Sequence, residues 1–332
     1  MGSRVLVRNP ESGDQRRSVQ AAQEAEERGY EVLNTSEEGE EVDLAREAAA
    51  GGADVVVACG GDGTLNGVAR GVDRAGRLEE VTLGVVPAGT GNGFAGNVGI
   101  DGVTEAFESV EAGRTRRLDV GMADWSGESG RGDGSDAGSS GAGDAGLAGG
   151  DADETARPFL NSCICGLTAE ASARTEPALK QRLGVLAYVF TTLQHTGDFE
   201  GLELDIRAGS ESDPVWSGEA ALLLVGNARR FPNRQANVED GKLDVVVIED
   251  APTIDYLARG AVERLFQGEV SHLTRLRVPS LVVDAGEPRQ FSLDGEMVER
   301  ERLEITTRER VMEFAVGEGY DPNPVDDRAD GE

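Results

Sequence analysis

The sequence predicts an α/β N-terminal domain built on a parallel sheet, followed by a largely antiparallel β-sandwich second domain. Three observations carry that expectation. Short apolar runs alternate with amphipathic stretches early in the chain, strand-like runs later follow one another with few helices between, and glycine-rich segments stand where the early runs end. Buried apolar runs separated by amphipathic helices imply parallel strands covered on both faces, whereas successive strands imply antiparallel pairing. A chain of 332 residues is long enough for two such cores, because a single core rarely grows much past roughly 250 residues.

In chain order, Arg4–Arg8 reads as a strand, an Ala/Glu/Gln/Arg-rich helix runs through Arg28, and a strand follows at Glu31–Asn34. A helix over Val42–Ala50, a strand at Asp54–Cys59, a helix after Thr64 and a strand at Val81–Val86 complete the α/β part, expected to span residues 1–118. The second part, residues 119–320, reads as strands at Arg117–Ala123, Phe159–Cys165, Gly201–Ala208, Ala220–Asn227, Lys242–Glu249, Leu276–Val283, Leu303–Thr307 and Val311–Val316, with helices at Leu179–Leu193 and Ile254–Phe266. Residues 125–156, rich in Gly, Ser, Asp and Ala, cannot bury enough surface to offset chain entropy and are expected to be a disordered insertion. The acidic tail, 321–332, is expected to be disordered as well.

Charge removes one class of partner. A formal net charge of −30 argues against nucleic acid, whose binding needs a basic surface. The acid excess is spread along the chain, and Lys180 and Lys242 are the only lysines. Such a surface suits a high-salt cytoplasm, where screening shrinks to ~3 Å at 1 M salt. Cys59, Cys163, Cys165, His195 and His272 support neither a disulfide scaffold nor a zinc cluster. No stretch approaches the ~20 apolar residues of a bilayer span, and no secretory signal is apparent, so a cytoplasmic protein is expected.

The chemistry lies in the turns. Gly60-Gly61-Asp62-Gly63-Thr64-Leu65-Asn66 stands between an apolar strand and a helix, where glycines admit backbone N–H groups to an anion and the helix N-terminus adds positive potential. Asp62 is out of place beside a phosphate unless it holds a metal or polarises a hydroxyl. Pro87 to Ala95 forms a second Gly/Thr/Asn loop, and Asn9 to Gly13 a third turn; on neighbouring strand ends these make a cradle for a triphosphate. The Walker phosphate loop is missing, and so is lysine throughout residues 1–118. Phosphate charge there must be met by backbone N–H groups, a metal and arginine. Later, Asp294-Gly295-Glu296 suits a hairpin whose crowded carboxylates could raise one pKa toward general-base duty, or a plain acidic turn. Asp240-Gly241 reads equally as a tight turn or part of an ion site.

Taken in order, Asn9–Gly13, Gly60–Asn66, Pro87–Ala95, Leu118-Asp-Val-Gly121, Phe159-Leu-Asn161 and Leu293-Asp-Gly-Glu296 resemble the diacylglycerol kinase catalytic family, which includes bacterial lipid kinases and sphingosine and ceramide kinases, within the NAD kinase-like superfamily. The resemblance implies a Mg2+- and ATP-dependent kinase that transfers the γ-phosphate to a lipid hydroxyl, with the lipid drawn from the membrane surface into a cleft between the two domains. It assigns ATP contacts to Asn9, Ser12, Gly13, Thr35, Gly60, Gly61, Asp62, Gly63, Thr64, Leu65, Asn66, Gly89, Thr90 and Asn92. Catalysis falls to Asp62 with Asp294 and Glu296, one of the latter pair being the base, and a structural Mg2+ to Asp240 with carbonyls of Asn237 and Lys242. Gly67, Gly93 and Thr168 depart from the family pattern, removing carboxylates from the expected cleft, and Ala228–Gln235 is short and basic. Two alternatives therefore stand beside the lipid kinase: a kinase of a soluble acceptor such as NAD, and an inert nucleotide- or lipid-binding protein. Dimerisation is left open.

Overall fold

The computed structural model describes residues 2–11, 13–126, 155–166, 201–230, 234–249 and 273–324. Its elements run β1 (Ser3–Arg8), α1 (Gln15–Glu27), β2 (Glu31–Asn34), α2 (Glu40–Ala50), β3 (Ala53–Gly60), α3 (Asp62–Arg74), β4 (Thr82–Pro87), α4 (Gly93–Asn97) and α5 (Val103–Glu111). Then come β5 (Thr115–Asp124), β6 (Ala156–Phe159), β7 (Ser162–Gly166), β8 (Leu202–Ala208), β9 (Trp216–Gly226), β10 (Arg229–Arg230), β11 (Arg234–Gln235), β12 (Leu243–Glu249), β13 (Leu273–Val278), β14 (Ser280–Leu293) and β15 (Glu296–Ala315). The N-terminal part is α/β and the remainder β-rich.

Strands β2, β1, β3 and β4 lie side by side in that order, each neighbouring pair parallel. Their apolar centres, Val5-Leu6-Val7 and Val56-Val57-Ala58-Cys59, are buried because helices cover the sheet. Helix α1 starts where Asp14 accepts hydrogen bonds from the Arg16 and Arg17 N–H groups, and it turns Ser18, Ala21 and Ala25 inward. Helix α3 is buried over most of its length, from Thr64 to Val72.

The β-rich part is antiparallel. Strand β14 pairs with β15, and β7 and β8 lie end to end in the slot between β14 and β9: β7 takes Phe291–Leu293, β8 takes Leu281–Asp284. Strand β15 is the spine that joins the parts, running antiparallel to β5 and meeting β4 at Phe314 opposite Leu83. Phe314 is fully buried and packs edge-on against Phe94, with ring centroids 5.2 Å apart. Leu160, Ala228, Val238 and Met312, late in the chain, also enter the core built on the parallel sheet.

Several expected elements differ. Phe159–Cys165 is broken at Leu160 and Asn161, whose N–H groups turn to a side-chain carboxylate. Leu276–Val283 is broken at Pro279, which has no N–H to give a ladder. Leu303–Thr307 and Val311–Val316 are one strand, carried through a bulge where Arg310 takes φ 51°. At the edges of the expected insertion, Trp125 is buried and its N–H donates to the Thr155 carbonyl, while Ala156 opens β6. Residues 127–154, the helices expected at Leu179–Leu193 and Ile254–Phe266, and residues 325–332 lie outside the described residues.

Phe314→Ala should cost about 3–5 kcal/mol, as expected for an emptied aromatic core site. Urea unfolding monitored by circular dichroism measures this.

Candidate active site

The parallel strands end together. Register places Arg8 beside Cys59 and Gly60 beside Pro87, so the turns after β1, β3 and β4 open on one edge. They are bonded to each other: the Ala88 N–H donates to Gly60 O, Asp14 N–H to Ala88 O and Asn9 N–H to Cys59 O. Packing is tight enough to require glycine. A Cβ on Gly89 would lie 2.2 Å from Gly61 Cα, and one on Gly13 would lie 2.6 Å from Thr90 Cγ2. Asn92 closes its loop on itself, accepting from the Gly89 N–H and donating to Gly89 O. Asn9 Oδ1 accepts from the Glu11 N–H, and Thr35 sits at the same edge, its N–H donating to Arg8 O. Ser12 lies outside the described residues.

Helix α3 begins at Asp62, two residues before the expected start near Thr64. Asp62 joins two loops: its Oδ2 accepts from the Gly93 N–H at 3.0 Å and Oδ1 from the Phe94 N–H at 2.9 Å, at the start of α4. No side chain caps α3. One turn along, Asn66 is 1% exposed, and among the described residues neither its amide oxygen nor its amide nitrogen has a hydrogen-bond partner. Buried amides are rarely left so.

Asp62, Asn66 and Arg70 recur at i, i+4 and i+8, on one face of the helix. The β14–β15 hairpin presents its turn to α3, with Asp294 at φ 51° and Gly295 at φ 103°, as a two-residue Asp-Gly hairpin requires. Asp294 is gripped by the break between β6 and β7: its carboxylate accepts from the N–H groups of Leu160 (2.6 Å), Asn161 (2.9 Å) and Ser162 (2.8 Å). Burial pushes the Asp294 carboxyl up to about 6; these N–H groups oppose the rise and the negative charge of Asp62 adds to it. Glu296 has another setting. Its Oε2 accepts from Arg70 Nη1 at 2.6 Å and Arg157 Nη1 at 3.1 Å, and both arginine side chains are only 8% exposed. The structure thus brings Asp62, Asp294 and Glu296 to one region, around the shared face of α3.

Sequence reasoning missed Arg70 and Arg157. The signal for Arg70 was its helical spacing from Asp62; nothing local pointed to Arg157, whose partner is 139 residues away.

The Asp240 turn lies apart from these groups. Asp240 Oδ1 accepts from the Lys242 N–H at 3.0 Å, its other oxygen is held by the Arg277 guanidinium, and Asn237 Oδ1 accepts from the Glu239 N–H. Among the described residues no three His, Cys, Asp or Glu side chains gather as a metal cage. The cation on Asp240 here is Arg277. Beside it is Asp119, in a motif quoted above without a role. It is 1% exposed, takes N–H groups of Gly241 and Arg310, and thereby ties β5 to the Asp240 turn and to the β15 bulge. Burial pushes the Asp119 carboxyl up to about 6.

Residues 3–123 match the family model described as the diacylglycerol kinase catalytic domain. A Pseudomonas aeruginosa protein described as a YegS-like lipid kinase is 30% identical over 314 residues, covering 91% of this chain and 90% of its own. This chain belongs to the diacylglycerol kinase family. Diacylglycerol kinase of Bacillus subtilis is 27% identical over 307 residues, covering 88% of each chain. A crystal structure of a provisional diacylglycerol kinase from Bacillus anthracis has the same fold, with a TM-score of 0.71 at 22% identity over 98% of this chain and 97% of that one. As a family member the chain is a kinase, a phosphotransferase to an alcohol. Among the described residues no helix is long and apolar enough to cross a membrane.

Gly89→Ala should lower stability by about 1–3 kcal/mol, the usual range for overpacking. Gly63→Ala, with nothing within 4 Å of the added carbon, should leave stability unchanged or raise it; chemical denaturation of both variants checks the pair.

Proposed function

We propose that this protein is an ATP-dependent lipid kinase that phosphorylates a lipid hydroxyl at the face of α3 shared by the glycine loops and the Asp294 turn. The observation that carries the reading is Asn66, a buried amide whose polar atoms have no partner among the described residues, beneath the uncapped start of α3. A helix N-terminus with such an amide below it suits a polyanion, and the close approaches at Gly13, Gly61 and Gly89 pack the glycine loops against one another beside it. Asn9, Ser12, Gly13, Thr35, Gly60 to Asn66, Gly89, Thr90 and Asn92 would hold the nucleotide. Mg-ATP supplies the γ-phosphoryl group and the metal's charge.

The chain's own residues do the rest. Asp62 fixes the loop that begins α4, setting the spacing of the phosphate-binding turns. Asp294 accepts the proton of the attacking hydroxyl: its carboxyl, raised to about 6, is ionised at neutral pH yet basic enough to take a proton. Glu296, fixed by Arg70 and Arg157, steadies the turn that carries Asp294. Phosphoryl transfer depends mainly on such positioning and on charge stabilisation. Asp240, with carbonyls of Asn237 and Lys242, is a poor Mg2+ site while Arg277 holds the carboxylate. The acceptor would be drawn from a membrane surface, as befits kinases named for lipids.

The test is transfer of labelled γ-phosphate from ATP in molar salt to a panel of diacylglycerol, ether-lipid diols, sphingoid bases and NAD. Wild type should label a lipid. Asp62→Asn, which gives up one of two N–H contacts, should lose at least ~100-fold in rate while losing only about 1 kcal/mol of stability. Label in NAD would move the protein to the soluble-acceptor branch, and ATP binding without transfer would make it an inert binder.

The rate should fall as pH drops through about 6, because protonated Asp294 cannot accept the hydroxyl proton. Asp294→Asn should lose this limb together with nearly all turnover, whereas a limb retained in Asp294→Asn and lost in Glu296→Gln would make Glu296 the base.

With a formal net charge of −30, turnover on anionic vesicles should rise between ~0.1 and ~1 M salt as repulsion is screened. Turnover on neutral vesicles should change far less; vesicle assays at graded salt separate the cases.

A further inference from the structure

Helix α4 is five residues long, and both its ends are tied. At its start, the Gly93 and Phe94 N–H groups hold the Asp62 carboxylate. At its end, Asn97 makes a two-way contact with the base of the β10–β11 hairpin. Its carbonyl accepts from Gln235 Nε2 at 2.7 Å, and its own Nδ2 donates to the Ala228 carbonyl at 2.7 Å. The last carbonyls of a helix have no partner within it, so the bond from Gln235 meets a need of α4. The bond to Ala228 meets no such need, because the Ala228 carbonyl already accepts from the Ala236 N–H at 3.2 Å.

Ala228 leads to the other side of the site. It is fully buried, and its N–H donates to the Leu160 carbonyl at 3.1 Å. Asn227 reinforces that contact: its Nδ2 donates to the same carbonyl at 2.9 Å, and its N–H donates to the Asn161 carbonyl at 2.9 Å. These two carbonyls belong to the peptide groups whose N–H ends, at Asn161 and Ser162, grip the Asp294 carboxylate. Asp294 therefore holds the front of a bend whose back is held by Asn227 and Ala228. Hydrogen bonds run from Asp62 through α4, Asn97 and Ala228 to Asp294.

We propose that Asn97 is a positioning residue that sets the separation between the phosphate-binding turns and Asp294. The proposal rests on the kinase reading above. Transfer requires the reacting atoms to be aligned at roughly 3–3.5 Å. The turns that hold the donor belong to the α/β part and Asp294 to the β-rich part, so contacts between the parts fix that gap. Phe94 against Phe314 and the Gly317 N–H on the Val98 carbonyl seat α4 on the end of β15. Asn97 adds a directional bond to the backbone behind the Asp294 grip.

Two measurements test this. In phosphoryl transfer, Asn97→Ala should lower kcat about tenfold, as small misplacements of reacting groups do, and change KM for ATP by less than about twofold. KM is spared because the Asp62 contacts at the start of α4 remain. Asn97→Asp keeps the size of the side chain but has no N–H to donate, and should lose at least as much. Wild-type kcat in Asn97→Asp would reduce Asn97 to a packing residue and overturn the proposal. A rise in KM for ATP at constant kcat would also overturn it, since α4 would then serve nucleotide binding alone.

The second measurement needs no activity. Amide hydrogen exchange at residues 160–162 should quicken at least about threefold in Asn97→Ala, because a loosened Ala228 gives the bend behind Asp294 more freedom to open. Unchanged exchange there would overturn the link between Asn97 and the Asp294 grip. Faster exchange in a protein that transfers no phosphate would overturn the kinase reading, and the positioning role with it, while the link itself stands.

Discussion

One carboxylate holds the β-rich part in working order. Asp294 draws in three successive backbone N–H groups, from Leu160, Asn161 and Ser162, and in doing so breaks what would otherwise be a continuous strand. A turn of N–H groups around an anion is a stable motif. Here the anion belongs to the chain, so the grip fixes two turns against each other: the β6–β7 break and the β14–β15 hairpin. Its own N–H returns a bond to the Ser162 carbonyl. The same burial that makes the grip specific raises the carboxyl toward neutrality, so a structural constraint and a chemical property come from one arrangement.

Asp62 performs the corresponding task at the start of α3. Both of its oxygens are taken by N–H groups at the start of α4, so the glycine loops are spaced by a charge-assisted contact. Two acidic residues that chemistry alone would assign to a metal or a proton are thus also fasteners. This accounts for how glycine-rich loops, which lose much entropy on ordering, are kept at a fixed separation.

What was legible in the sequence was whatever a short window contains. Val5-Leu6-Val7 and the run ending at Cys59 announce buried strands, and Gly60 to Asn66 announces a strand-to-helix turn, because the chemistry of each is local. The breaks and joins were not legible in the same way. The break at Leu160 is caused by Asp294, 134 residues on, and the joining of two expected strands into β15 depends on Arg310 adopting φ 51° with its N–H bonded to Asp119. Arg70 and Arg157 escaped for the same reason: an arginine in a helix or strand looks like a solvated surface until the fold brings a distant carboxylate to it. The partner of Asp240 was not legible locally either, because Arg277 lies in another strand.

The arrangement also resolves a tension between the surface and the interior. A chain with a formal net charge of −30 repels itself unless salt screens it, yet salt weakens the exposed ion pairs that could hold it together. The bridges from α3 and β6 to the Asp294–Glu296 turn are of another kind. Arg70 and Arg157, with side chains 8% exposed, meet Glu296, itself 41% exposed, so these bridges are more sheltered from screening ions than the pair Arg46 and Asp43, at 47% and 65%. Placing those bridges on buried arginines, which stay charged and share one carboxylate oxygen, makes the geometry of the site less dependent on salt than the surface pairs are.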